Sequence, residues 1–271
     1  VIIGFGTSAP EFAVSIIASL HGSGDLALAN IIGSNIANVG LVLGTTALIA
    51  PLTIESKQFN KETPAIIIAT FIICIFAWNN YLSRFEGFIM IILLFIYLFK
   101  SFKSNECMND NIEEGIPFSV TKKPAYQVFL IILGMAMLII GANLMVQGAT
   151  NIARSIGISE WFIGVSIVAL GTSLPEIVSS MIAAKRGHGD MAIGNVFGSN
   201  IFNILMVIGV ASSIHPIAIN ENIHADLIYT TVLTCLLLFM IGIRHTIKKR
   251  DGIILILCYT VYIYLKALNF L

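Results

Sequence analysis

The sequence predicts an all-α polytopic membrane protein made of two inverted five-helix repeats, the first lacking its opening helix here. Three observations carry this. Of 271 residues, 57% are hydrophobic and only 11% charged, whereas a soluble domain carries about 25% charged residues. The apolar residues form nine continuous runs with no strict alternation, which indicates helices and not a barrel. The stretch Gly6 to Gly44 recurs as Gly171 to Gly209 at a constant offset of 165, with 20 of 39 positions identical. The formal net charge is zero, so nothing points to a nucleic-acid partner.

The runs lie at 1–20, 26–50, 64–82, 86–100, 125–146, 161–184, 191–214, 226–243 and 252–270. Most approach the ~20 residues that a bilayer crossing requires, and 86–100 is short. Segment 125–146 precedes the second copy of the repeat and has no counterpart before the first. The expectation is therefore a parent of ten spans, five per repeat. Residues 1–100 form the N-terminal repeat, 101–124 a polar linker and 125–271 the C-terminal repeat. Glu86-Gly87 matches Asp251-Gly252 at the same offset, so the duplication reaches the last span of each half.

An odd number of spans per repeat makes the two copies run in opposite directions. Threading the spans alternately places 12 of the 15 Lys and Arg on the side of the linker. Only Arg84, Arg154 and Lys266 fall on the other side. The positive-inside rule makes the linker cytoplasmic and the C-terminus external. The short linker, with no regulatory domain, suggests a prokaryotic inner membrane. Inverted repeats are a transporter architecture with the site at the repeat interface near mid-bilayer.

Each copy opens with a motif that disturbs its helix, GTSAPE at 6–11 and GTSLPE at 171–176. Pro10 has no backbone N–H and its ring collides with the carbonyl of Gly6, and Pro175 repeats this at Gly171. Broken helices are expected there and again at the Gly-Ser-Asn motifs 33–35 and 198–200. Thr7, Ser8 and Glu11 share one helix face, as do Thr172, Ser173 and Glu176. Ser34 with Asn38, and Ser199 with Asn203, are again one turn apart. The set comprises two carboxylates, hydroxyls and amide oxygens, without His or Cys, which suits a hard cation such as Ca²⁺. Two carboxylates balance one divalent ion or two monovalent ions, and a site holding either in turn suits an exchanger. An acid inside apolar sequence is costly and usually functional.

The other duplicated residues read as structural. Gly33, Gly198, Gly44 and Gly209 are expected to pack helices. Asn30, Asn195, Asn35 and Asn200 are expected to satisfy backbone groups at the second break, and Asp25 and Asp190 to cap helix N-termini. His21 and His188 sit in links and read as solvated. Tyr259, Tyr262, Tyr264 and Phe270 read as lipid-facing and interfacial anchors. Cys74, Cys107, Cys235 and Cys258 show neither metal-ligand nor disulfide spacing.

At these motifs the chain resembles the sodium/calcium exchanger family of cation/Ca²⁺ antiporters. The GTSxPE, GD and GSNIxN segments within 6–38 and 171–203 look like that family's two α-repeats. The resemblance implies a ten-helix exchanger fold with four ion sites in a diamond. In it Glu11 and Glu176 are the shared central ligands, and Thr7, Ser8, Ser34, Thr172, Ser173 and Ser199 flank them. Carbonyls near Gly4 and Ala169 complete the outer sites. It further implies Na⁺-driven Ca²⁺ exchange by alternating access, three Na⁺ per Ca²⁺, with Na⁺ and Ca²⁺ as cargo and no cofactor. Potassium-dependent members resemble the chain but carry Asp where Asn203 stands, so no K⁺ requirement is expected.

Three other classes compete. Close buried carboxylates can also carry protons, which would make a Ca²⁺/H⁺ antiporter on the same fold. Gly22–Asp25 and Gly187–Asp190 spell GxGD, resembling half of an intramembrane aspartyl protease. Inversion sends these two aspartates to opposite membrane faces, and that enzyme leaves Glu11 and Glu176 unexplained. A channel is disfavoured because paired acids with four hydroxyls hold an ion tightly.

Overall fold

The computed structural model describes residues 2–105, 124–220 and 223–268, and these are dominated by helices. Most of the linker, with Cys107, and Phe270 lie outside the described residues. The first half runs α1 (Ile2–Thr7), α2 (Ala9–Leu20), α3 (Gly24–Ala37), α4 (Gly44–Ile49), α5 (Ser56–Phe76) and α6 (Arg84–Asn105). The second half opens with α7 (Pro124–Ile156), which has no counterpart in the first. It continues as α8 (Glu160–Ile163), α9 (Ala169–Thr172), α10 (Leu174–Lys185), α11 (Gly189–Phe202), α12 (Gly209–Ile214), α13 (His224–Arg244) and α14 (Lys249–Ala267). The run expected to be short, 86–100, is a 22-residue helix, because the polar residues at both its ends stay helical.

Gly24–Ile49, Ser56–Asn79, Gly189–Ile214 and His224–Arg244 are each long and apolar enough to cross a bilayer, and the bent pair Glu160–Lys185 makes a fifth such span. The apolar windows of Gly24–Ile49 and Gly189–Ile214 are 94% and 89% buried, against 33% for Ser56–Asn79 and 44% for His224–Arg244. The first pair therefore forms the centre, and the second pair forms the flank. Large apolar side chains such as Phe85, Phe99, Ile75 and Phe239 point outward on the flanking helices, as a hydrocarbon solvent permits.

Two short antiparallel ribbons tie the halves together. Leu52–Thr53 (β1) pairs with Thr246–Ile247 (β4), and Tyr81–Leu82 (β2) pairs with Ile217–Ala218 (β3). At the repeat offset β1 corresponds to β3 and β2 to β4, so each ribbon joins one half to the other. This exchange of partners is what a two-fold axis in the membrane plane produces from inverted repeats.

The helix disturbances differ in kind from those expected. At GTSxPE only one residue leaves the helix, Ser8 (φ −81°, ψ 8°) or Ser173 (φ −80°, ψ 1°). The Ser8 N–H still donates to the Gly4 carbonyl at 3.0 Å, and Phe12 N–H to Ser8. The second copy bends by 41° there. The Gly-Ser-Asn motifs do not break a helix at all. α3 and α11 run through them, then widen into π-helical turns at Asn38–Leu43 and Asn203–Ile208. Such turns take up an extra residue within a helix and often mark functional sites.

Close backbone approach explains the central glycines. A Cβ on Gly33 would lie 2.6 Å from Val165 Cα and 2.8 Å from Ala169 Cβ. A Cβ on Gly4 would lie 2.8 Å from the Ser199 nitrogen. Gly44 packs on Gly252 and Ile256, as Gly209 packs on Gly87 and Ile91. Helices in lipid gain their contact from such small-residue packing. Substituting Gly33→Val is expected to destabilise the protein by about 1–3 kcal/mol through overpacking. A lowered melting temperature in detergent checks this, and an unchanged one would contradict the close contact.

Candidate functional site: two buried carboxylates among hydroxyls and amides

α2 and α10 carry Glu11 and Glu176 in their first turns, and both side chains are 0% exposed. Each carboxylate is held by the serine three residues before the other one, Glu176 by Ser8 and Glu11 by Ser173. The proline at the start of each helix bears on this placement: it stands directly before the acid, and the residue that leaves the helix, Ser8 or Ser173, stands three residues before the acid. Ser8, Thr172, Ser173, Ser34, Ser199, Asn38 and Asn203 are all buried around them, with Thr7 half-buried. Side-chain contacts link Thr7, Ser8 and Ser199 with Glu176 and Asn195, and Thr172, Ser173 and Ser34 with Glu11 and Asn30, while Asn38 and Asn203 bond to Asn200 and Asn35.

The hydrogen bonds cross between halves. Ser8 Oγ donates to Glu176 Oε1 at 3.3 Å, and Ser173 Oγ to Glu11 Oε1 at 3.5 Å. Thr7 Oγ1 donates to Asn195 Oδ1 and Thr172 Oγ1 to Asn30 Oδ1, both at 3.2 Å. The hydroxyls of Thr7 and Ser199 are 3.4 Å apart, and those of Thr172 and Ser34 are 3.3 Å apart. Asn38 Nδ2 donates to Asn200 Oδ1 at 3.0 Å, and Asn203 Nδ2 to Asn35 Oδ1 at 3.2 Å. Each contact has its image at the 165 offset.

One polar atom of each of four side chains is left over. Glu11 Oε2, Glu176 Oε2, Asn38 Oδ1 and Asn203 Oδ1 are fully buried and accept no hydrogen bond. All four are acceptors, and buried acceptors without donors are rare and expensive. The amide nitrogens of Asn38 and Asn203 are already engaged, which turns their oxygens free. Carbonyls lie beside the same hydroxyls: Gly4 O is 3.3 Å from both Thr7 Oγ1 and Ser199 Oγ, and Ala169 O is 3.2 Å from Thr172 Oγ1, as alternative acceptors for their single hydrogens. Two carboxylates whose second oxygens meet no donor can be balanced by cations or by protons. Among the described residues no three His, Cys, Asp or Glu side chains converge, so cation binding here has to draw on hydroxyl and amide oxygens.

Several expectations need correction. Asn30 and Asn195 do not serve backbone groups; their Nδ2 atoms donate to Ser15 and Ser180 while their Oδ1 atoms hold Thr172 and Thr7. They position site hydroxyls, a role that only the three-dimensional meeting of the halves reveals. Asn35 and Asn200 do bond one another's backbone carbonyls, at 3.4 and 3.2 Å. Asp25 does not cap α3, whose N-cap is Ser23; its carboxylate accepts both the N–H and the side-chain amide of Asn220. Asp190 likewise lies inside α11, after the N-cap His188. These aspartates stand at opposite ends of the molecule. Asp25 begins the span that ends beside β1, and Gly189, next to Asp190, packs on that same β1 at Leu52. Tyr262 does not face lipid: it is 0% exposed, because its hydroxyl donates inward to Asp226 at 2.8 Å.

The sodium/calcium exchanger protein family matches residues 1–103 and 126–268. The chain belongs to that family. It is 35% identical to the putative antiporter CaxA of Alkalimonas amylolytica, across 97% of this chain and 85% of the relative. It is 30% identical to the sodium/calcium exchanger MaX1 of Methanosarcina acetivorans, across 97% and 86%. Its fold superposes on the sodium-calcium exchanger NCX_Mj, in crystals soaked with Na⁺ and Sr²⁺, with a TM-score of 0.73 and 31% identity. That match covers 97% of this chain and 84% of the other. The chain is therefore an integral membrane protein of an ion antiporter family.

Replacing Glu11→Gln or Glu176→Gln removes one of the two negative charges. A unit charge ~4 Å from an ion contributes roughly 4 kcal/mol at an effective dielectric constant of about 20. Either variant is expected to lose Ca²⁺ affinity by about a thousandfold while still folding. Thr→Ala or Ser→Ala at 7, 8, 172 or 173 removes a neutral oxygen and should weaken binding by smaller, graded amounts. Calorimetric Ca²⁺ titration of monodisperse protein checks both; wild-type affinity in either Gln variant would refute the cage.

Proposed function

We propose that this protein is a secondary active antiporter that exchanges Na⁺ for Ca²⁺ by alternating access, without a K⁺ requirement. The observation that carries the reading is the set of four buried acceptor oxygens, two of them from carboxylates, with no donor among them. Two negative charges balance one Ca²⁺ or two Na⁺, so the same oxygens favour either load but not both. A third Na⁺, bound by neutral oxygens around Thr7, Ser199 and Gly4 or their counterparts around Thr172, Ser34 and Ala169, leaves one net charge per cycle. That makes exchange at three Na⁺ per Ca²⁺ electrogenic.

The inverted halves supply the geometry for alternation. Glu11 leans on Ser173 and Glu176 on Ser8, so a shift of one half relative to the other alters both carboxylates together. Asn203 has the shape of Asp without its charge and donates its amide to Asn35, which supports K⁺ independence: a further cation would meet no further anion. The match to MaX1, named a sodium/calcium exchanger, favours Na⁺ as the coupling ion. We place the linker in the cytoplasm of a prokaryotic cell, the C-terminus outside, and transport without catalysis of a reaction.

In proteoliposomes with pH clamped, an imposed Na⁺ gradient is expected to drive ⁴⁵Ca²⁺ uptake that K⁺ leaves unchanged. Ca²⁺ flux driven by a pH gradient without Na⁺ would assign the carboxylates to protons instead. Stimulation by K⁺ would overturn the reading of Asn203.

A further inference from the structure

A second buried ionic cluster lies outside the cage. Asp226 near the start of α13 is 0% exposed, and Lys266 near the end of α14 is 7% exposed. Asp226 Oδ2 accepts from Lys266 Nζ at 2.9 Å and from Trp161 Nε1 at 2.8 Å, and Oδ1 accepts from Tyr262 at 2.8 Å. The Lys266 ammonium also sits 5.9 Å from the centroid of the Trp161 ring. Trp161 is 1% exposed and belongs to the first turn of α8, which Ser159 caps through the Phe162 N–H at 3.1 Å. Just before it, Gly157 (φ +72°) turns the chain out of α7.

From Trp161 the chain runs helically through a π-turn at Gly164–Val168 to Ala169, Thr172 and Ser173. The cluster therefore holds the far end of the segment that carries Thr172 and brings the Ser173 hydroxyl to Glu11. A buried ion pair is weak evidence for stability, since desolvation offsets its attraction, and its best-attested use is to fix register. The repeat supports that use. At the 165 offset, Lys61, Tyr97 and Ser101 stand for Asp226, Tyr262 and Lys266. Lys61 Nζ donates to the Ser101 carbonyl at 3.1 Å, so the same two positions meet in each half. Only the second half makes them a charge pair.

We propose that Asp226 is a positioning residue for ion binding: held by Lys266 and Tyr262, it fixes Trp161 and so the register of Thr172 and Ser173 against Glu11. This rests on the reading of the cage as the ion site. The test compares reconstituted wild type with W161F, which loses the N–H donor together with the five-membered ring that carries it, with D226N/K266M, which leaves no uncompensated charge, and with the triple variant. Half-saturation and maximal rate of Ca²⁺ transport are measured, together with Ca²⁺ protection against thermal unfolding, which reads binding without turnover.

W161F is expected to raise half-saturation and the protecting Ca²⁺ concentration by about tenfold, the loss of one charge-assisted bond. Its maximal rate stays within about twofold, because the carboxylates remain. The triple variant should be no worse than W161F by more than about twofold, since both changes act through one contact. Unchanged half-saturation, with only melting temperature or active fraction lowered, would make the cluster merely structural and overturn the proposal. So would additive effects in the triple variant. Failure of the cage itself shows separately, as wild-type Ca²⁺ protection in the Glu11→Gln protein.

Discussion

Two carboxylates buried in the centre of the molecule, with no donor for their second oxygens, are the constraint on which the rest of the structure depends. Burying one such group is expensive and burying two side by side is more so. The serine hydroxyls bonded to them do not neutralise them. The N–H and O–H groups of the site are spent on the first carboxylate oxygen, on other side chains or on backbone carbonyls. What remains is an oxygen surface with a standing deficit of positive charge, and a mobile cation is the simplest group to fill it.

The deficit can be held in place only because the two halves interlock. The hydroxyls of one GTSxPE motif serve the acid and the asparagine of the other half, so neither half owns a complete site. That exchange needs backbone contact at the crossing points, which Gly33 and Gly4 permit and a larger side chain would not. The exchanged ribbons β1–β4 and β2–β3 fix the same relation at the two ends of the bundle. Symmetry then stops where the central spans end. Asp226 with Lys266 clamps one half by charge, while Lys61 with a backbone carbonyl serves the other.

Much of this was legible in the sequence for a definite physical reason. The duplicated motif combined residues that bilayers disfavour, and the same offset linked Glu11 to Glu176, Ser8 to Ser173 and Asn38 to Asn203. Apolar runs located the spans, though not their ends: Arg84–Asn105 continues past its apolar stretch because charged residues can stay helical near an interface. The nature of the kinks was not legible. Proline rules predict loss of one hydrogen bond, but tertiary packing keeps the neighbouring ones, and glycine with serine and asparagine in α3 and α11 stays helical where packing demands it. Residues whose role depends on a partner from the other half were hidden for the same reason. Asn30 and Asn195 read as backbone-satisfying until the halves meet, and Tyr262 reads as a membrane anchor until Asp226 is seen beneath it.

The central claim is that Glu11 and Glu176 act on one ion from two sides. The most direct measurement is anomalous diffraction from crystals soaked in Sr²⁺ as a heavier stand-in for Ca²⁺, with a Na⁺-only soak as reference. The account predicts one principal anomalous peak within ligand distance of both Glu11 and Glu176, absent in the reference. A peak on one carboxylate alone, or ions confined to surface acids with the central oxygens closed on each other, would contradict it.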